Sequence, residues 1–274
     1  MRVLSIALLC LTALWWRATL AQEKASVLMI VFDGGNGLMW CLEHRGACQD
    51  VSLPSVNYDG LKDRGGAPQI AATLRRAGYD VDERYFSSYW ALHQTPASDT
   101  PSPGVLEALA AIDAAPPETR IVVIGASEGG LWTHLIAHAV PRVDVLVDFD
   151  VLCTGWQQFQ NELPALDPAQ QLAVHDRLGE LIDTNPCHGA NIIPYTVSAN
   201  LEVRTSLFYR DRPLQNQPVE VLLTDIIPNR RPDGSTAGIF RFVERDEPHG
   251  HLLAPDDPSV IWTSAMLLYL LQLP

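Results

Sequence analysis

Apolar residues along this chain fall into two kinds of run. Residues 26–32, 121–124 and 143–147 are short, nearly unbroken apolar stretches rich in branched side chains, the mark of strands buried on both faces of a parallel sheet. Between them lie segments with helical spacing at 68–77, stopped by Gly78, at 105–114, entered through the Pro-rich loop 95–103, and at 128–139. Residues 79–86 read as a further strand. After residue 153 the pattern changes to polar, Gln-rich amphipathic pieces broken at Asn185-Pro186-Cys187. Strands are predicted again at 219–223 and 239–243, and an amphipathic helix closes the chain at 258–271. Strands alternating with helices predict a mostly parallel, doubly wound α/β sheet with helices on both faces. The polar stretch then reads as a helical, cap-like insertion at about 153–218.

Composition narrows the classes. With 274 residues, 47% hydrophobic and 19% charged, the chain is long enough for a substantial core and is neither low-complexity nor disordered. Nineteen basic against 32 acidic residues give a net charge of −13, the wrong sign for holding a phosphate backbone, so no nucleic-acid partner is expected.

Arg2, the apolar residues 3–16 and the small-x-small site Thr19-Leu20-Ala21 before Gln22 predict a signal peptide over 1–21 and a mature domain over 22–274. The apolar run is shorter than the roughly 18–20 residues a spanning helix needs, so no stable membrane span is expected after cleavage. A secreted or periplasmic protein is the expectation. Of five cysteines, Cys10 leaves with the leader, and Cys41, Cys48, Cys153 and Cys187 remain for an oxidising compartment. Four cysteines allow several pairings. Cys41 with Cys48 and Cys153 with Cys187 close the shortest loops. No CxxC spacing suggests a metal site.

The chemistry concentrates in Gly125-Ala126-Ser127-Glu128-Gly129, where a predicted strand runs into GxSxG and straight out into a helix. In that context the motif reads as a nucleophile elbow. Small flanking residues let Ser127 sit at a sharp, strained turn with its hydroxyl at the carboxyl end of the sheet, and the next amide, that of Glu128, faces a developing oxyanion. A serine hydroxyl needs a base, and the base a carboxylate to orient it. Asp225 follows the predicted strand 219–223, and His249 and His251 follow the predicted strand 239–243. Asp148 and Asp150, after the strand 143–147, are alternatives to Asp225. His134 and His138 have helical i, i+4 spacing that would suit a metal, but no third ligand accompanies them, and no metal or organic cofactor is expected. A dinucleotide loop at 33–37 lacks the GxGxxG spacing.

At these residues the chain resembles the serine α/β-hydrolase superfamily. The elbow, the order Ser127, Asp225, His251, the Asp-x-x-Pro of Asp225 to Pro228, and Gly250-His251 followed by an acid and Pro258 carry the likeness. The resemblance implies an α/β-hydrolase fold, His251 rather than His249 as base, and a lid in the position of the insertion. It also implies a second oxyanion donor from the loop after the first strand. There Asp33-Gly34-Gly35-Asn36-Gly37 carries Asp33 where the family commonly has histidine, and Gly35 is the expected donor, with Gly34 and Asn36 as alternatives. The implied activity is cleavage of an acyl bond in a small-molecule or lipid-like substrate, a carboxylic ester first and an amide or peptide second. From another class, a non-catalytic binding protein on the same scaffold fits the substitution at Asp33.

Overall fold

Ser26–Asp33 form β1, and every residue after Ser26 is buried. Leu28, Ile30 and Phe32 point into one core and Val27, Met29 and Val31 into another, so the unbroken apolar run is what a strand covered on both faces requires. The structure, a computed structural model, describes residues 25–33, 61–62, 65–87, 103–127, 129–151, 163–179, 181, 191–205, 228–244 and 254–272. In chain order the elements after β1 are α1 (Gly66–Arg76), β2 (Asp80–Ser87), α2 (Gly104–Ala114), β3 (Arg120–Ala126), α3 (Gly129–Ala139) and β4 (Val143–Phe149). They continue with a 3₁₀ turn at Leu163–Ala165, then α4 (Pro168–Leu178), β5 (Val197–Thr205), β6 (Ile239–Glu244) and α5 (Pro258–Leu271).

All five strand pairings are parallel, in the order β2-β1-β3-β4-β5-β6. β1 aligns with β2 from Ser26 opposite Asp80 to Asp33 opposite Ser87, and with β3 from Val27 opposite Arg120 to Phe32 opposite Gly125. α2, α3 and α4 cover one face through Val105, Leu109, Leu135, Ile136, Val174 and Leu178. α1 and α5 cover the other through Ile70, Leu74, Val260 and Leu267. Asp257 caps α5, accepting from the Ser259 amide at 2.8 Å, with Pro258 in the first turn. A parallel sheet wound outward from β1 and β3, with a strand–turn–helix at the end of β3, is the α/β-hydrolase fold that the sequence implies.

The carboxyl half of the sheet departs from the sequence reading. The place between β4 and β6 is taken by Val197–Thr205, inside the stretch assigned to the insertion, whereas the strand expected at 219–223 lies outside the described residues. β5 escaped notice because it alternates. Leu201 and Val203 enter the apolar core with α5, while Asn200 and Glu202 are buried on the opposite side in hydrogen bonds. A strand of period two does not look like the solid apolar runs of its neighbours. α4, also within that stretch, packs Val174 and Leu178 into the α2–α3 core, so it belongs to a helix layer of the domain. β4 is longer than predicted, and Asp148 lies within it rather than after it.

Candidate active site

The end of β3 is built around glycines that leave no room for a side chain. A Cβ on Gly125 would strike the Thr133 hydroxyl, one on Gly129 the Phe32 carbonyl oxygen, and one on Gly130 the side chain of Val151. The first turn of α3 thus lies directly on the end of β1 and on the segment leaving β4. Between these glycines Ser127 takes φ +52°, in the left-handed region that costs a side-chain-bearing residue about 1–2 kcal/mol. Two main-chain bonds hold it there. Its N–H donates to the Phe149 carbonyl at 2.8 Å, and its carbonyl accepts from Gly130 N–H at 3.1 Å. Thr133 adds a bond from its hydroxyl to the Gly130 carbonyl at 2.9 Å.

The turn occupies a particular place in the topology. The chain leaves β1 toward β2 on one side and returns to β3 on the other, so the carboxyl ends of β1 and β3 flank the point where the winding reverses, where open α/β sheets bind ligands. Ser127 follows β3 at that point. Among the described residues the other non-glycine with positive φ is Asp150, at +47° just after β4, its N–H donating to the Val203 carbonyl at 2.9 Å. The connections leaving β5 after Thr205 and β6 after Glu244 start from this same edge. They carry Asp225, and His249 with His251, respectively.

Asp33 closes β1, and its position explains why a carboxylate stands there. It is buried, with Oδ1 accepting from Leu61 N–H at 2.5 Å and Oδ2 from Lys62 N–H at 2.9 Å. The side chain brackets a turn in a way that a histidine, with fewer acceptors, could not. Nearby, the Lys62 ammonium lies 5.1 Å from the centre of the Tyr85 ring. Burial first, and then the Glu83 carboxylate that accepts its hydroxyl, push the Tyr85 phenol far above its ordinary range, which removes it as a base.

Asp148, the other residue weighed as an alternative to Asp225, has partners for both of its carboxylate oxygens. Its Oδ1 lies 3.0 Å from His134 Nε2, and its Oδ2 accepts from Asn200 Nδ2 at 2.7 Å and Asn229 Nδ2 at 2.8 Å, all enclosed on the α3 side of the sheet. Glu202 extends this network, accepting from Asn229 N–H at 3.2 Å and Arg241 Nε at 2.7 Å and pairing with Arg204 at 2.5 Å. Burial disfavours charge on His134 most strongly, but the Asp148 charge, its hydrogen bond and the Glu202 charge together outweigh it, so the imidazole pKa stands above the ordinary 6.5. His138 goes the other way, lowered by burial and by the neighbouring His134 charge, with Nε2 3.1 Å from the Ile192 carbonyl. The i, i+4 histidines therefore serve two different partners, and among the described residues no group of three metal-ligating side chains is gathered.

Sequence reasoning missed the role of His134. Helical position alone could not reveal that its partner lies inside β4. Glu128, Gly35, Asp225, His249 and His251 lie outside the described residues, as do Gly34, Asn36, the four cysteines of the mature chain and the leader.

No family model and no curated protein matches the chain. Solved structures do resemble it at low identity. An esterase domain from a Rhodothermus marinus protein is 13% identical with a TM-score of 0.46, covering 90% of this chain and 87% of its own. An esterase from Pyrococcus furiosus is 14% identical with a TM-score of 0.45, over 91% and 81% of the two chains. Mouse alpha/beta hydrolase domain-containing protein 10 is 12% identical with a TM-score of 0.46, over 88% of each. The fold assignment rests on the sheet order and the turn at Ser127 rather than on these likenesses.

Proposed function

We propose that this chain is a serine hydrolase that cleaves an acyl bond, with a carboxylic ester as its first substrate class. The observation that carries this reading is Ser127 itself. A non-glycine residue is held at φ +52° between glycines with no room for a side chain, at the point where the sheet reverses its winding. In this reading the Ser127 hydroxyl attacks the carbonyl carbon, His251 takes its proton and passes it to the departing alkoxide, and Asp225 orients and stabilises the imidazolium. The amides of Glu128 and Gly35 receive the oxyanion, each such donor being worth about a hundredfold or more in rate. Water, deprotonated by the same histidine, then releases the acyl group as a carboxylic acid. Asp150, at the same edge of the sheet, is the alternative acid.

The chain is further proposed to be exported after cleavage before Gln22, with Cys41 bonded to Cys48 and Cys153 to Cys187. The residues between β4 and β5 outside α4 are proposed to shape the substrate pocket, as lids do on this fold.

The test is labelling of purified protein with a fluorophosphonate, with Ser127→Ala as the control and turnover of short-chain and long-chain p-nitrophenyl esters alongside. Labelling of the wild type that disappears in Ser127→Ala supports the reading. Absence of labelling in folded protein removes it and leaves a binding scaffold. His251→Ala abolishes turnover and His249→Ala spares it; the reverse pattern exchanges their roles.

A further inference from the structure

The chain that leaves β3 through the turn at Ser127 and continues into α3 is tied to β4 twice. Close to the turn, Ser127 N–H bonds the Phe149 carbonyl on β4. Two helical turns further on, His134 reaches back to Asp148, the residue immediately before Phe149, through Nε2 at 3.0 Å. The two bonds join the turn and the helix after it to adjacent residues of the same strand, and the covalent chain from Ser127 to His134 closes them into a ring that contains the serine.

Both sides of that ring are stiff. The carboxylate is fixed by the Asn200 and Asn229 amides, and Asn229 in turn donates from Nδ2 to Asn200 Oδ1 at 3.0 Å. The imidazole has its Nδ1 buried with no partner among the described residues, so the contact with Asp148 is the hydrogen bond that orients the ring. A buried imidazole–carboxylate pair stabilises a fold little better than apolar groups of the same volume. What it adds is direction. It fixes the approach of α3 to β4 at one pair of atoms.

We propose that His134 and Asp148 are positioning residues for Ser127, setting how deeply α3 seats against β4 and so where the serine hydroxyl stands. This rests on the reading of Ser127 as the nucleophile. Neither residue touches substrate. Their effect is on the placement of a group that is held by the main chain and displaced with it.

The experiment measures the second-order rate of fluorophosphonate labelling, kcat and KM on a p-nitrophenyl ester, and the unfolding midpoint, for wild type, His134→Gln and His134→Leu. Glutamine places an amide nitrogen where Nε2 stands and keeps a donor to Asp148; leucine fills the space without one. The expected result is labelling within about threefold of wild type for glutamine, and a fall of about tenfold or more for leucine, in kcat with KM little changed. Labelling in the leucine variant equal to wild type, whatever its melting temperature, overturns the proposal. If leucine gives no folded protein, His134→Asn replaces it, a polar side chain too short to reach Asp148. If neither folds while glutamine does, the pair is a folding element and the proposal falls. Failure of the underlying reading looks different, since the wild type itself then takes up no label.

Discussion

Gly129→Ala separates two opposing expectations. By helix propensity alone, alanine in the first turn of α3 should help by up to about 1 kcal/mol. The structure reverses the sign. The added methyl would fall on the carbonyl oxygen of Phe32 and crowd the carbonyl carbon of Asp33, at 2.9 Å. Neither can withdraw, because both belong to β1, hydrogen-bonded in register to β2 and, through Phe32, to β3. Relief therefore comes from α3 moving outward by about 1 Å, a displacement on the scale that costs positioned chemistry about a hundredfold. Overpacking of this kind costs about 1–3 kcal/mol. For a domain of this size that lowers the melting temperature by roughly 2–10 °C. Circular dichroism melts and fluorophosphonate labelling read the two consequences separately, with Gly78→Ala as the comparison. There φ is +100° and nothing lies within 4 Å of the new methyl, so the cost is conformational only and labelling is unaffected. A Gly129→Ala protein as stable as wild type and labelled at the same rate would refute the argument from close approach.

Three further outcomes are expected. Because the His134 pKa is raised in the fold, its pairing with Asp148 stabilises fully below the unfolded value of about 6.5 and is lost as pH rises through the folded one, so the melting-temperature advantage of wild type over His134→Gln narrows with rising pH; an advantage that widens instead contradicts the assignment. Arg231, buried, donates to the carbonyls of Ala237, Pro194, Val197 and Ser198 at 2.8–3.2 Å, and Arg231→Met, which strands them, should cost about 2–4 kcal/mol in urea unfolding. Asp33→Ala should cost about 2 kcal/mol by releasing the Leu61 and Lys62 amides, and Asp33→Asn, which keeps one good acceptor, about half of that; equal losses would mean the bracket contributes little.

The first half of the fold was legible because β1, β3 and β4 are saturated with apolar residues and the helices between them carry clear stops. The tight turn after β3 was legible through its glycines, and Gly125 and Gly129 each answer to a contact that leaves no room for a Cβ. β5 was not, because half of its side chains are polar and only the tertiary arrangement supplies their partners. The same blindness hid the link between His134 and Asp148. Each reads alone as an ordinary residue of its element, and their meeting depends on how α3 is laid across β4. Asp33 stands out in the sequence only because a histidine is common there in the superfamily it resembles, and the geometry that gives it an ordinary task, the capture of two amides, is tertiary.

The bonds and clearances that hold the turn at residue 127 are an N–H, a carbonyl and the bare faces of three glycines; none of them uses the serine hydroxyl. The pose of that side chain is therefore encoded by its neighbours and is indifferent to what the side chain is. Cysteine, aspartate or asparagine placed there would inherit the same backbone pose while offering a thiolate, a carboxylate or an amide in place of an alcohol. Position 127 is in that sense a socket, and on the proposed reading the chemistry offered there can be exchanged without renegotiating the fold that presents it.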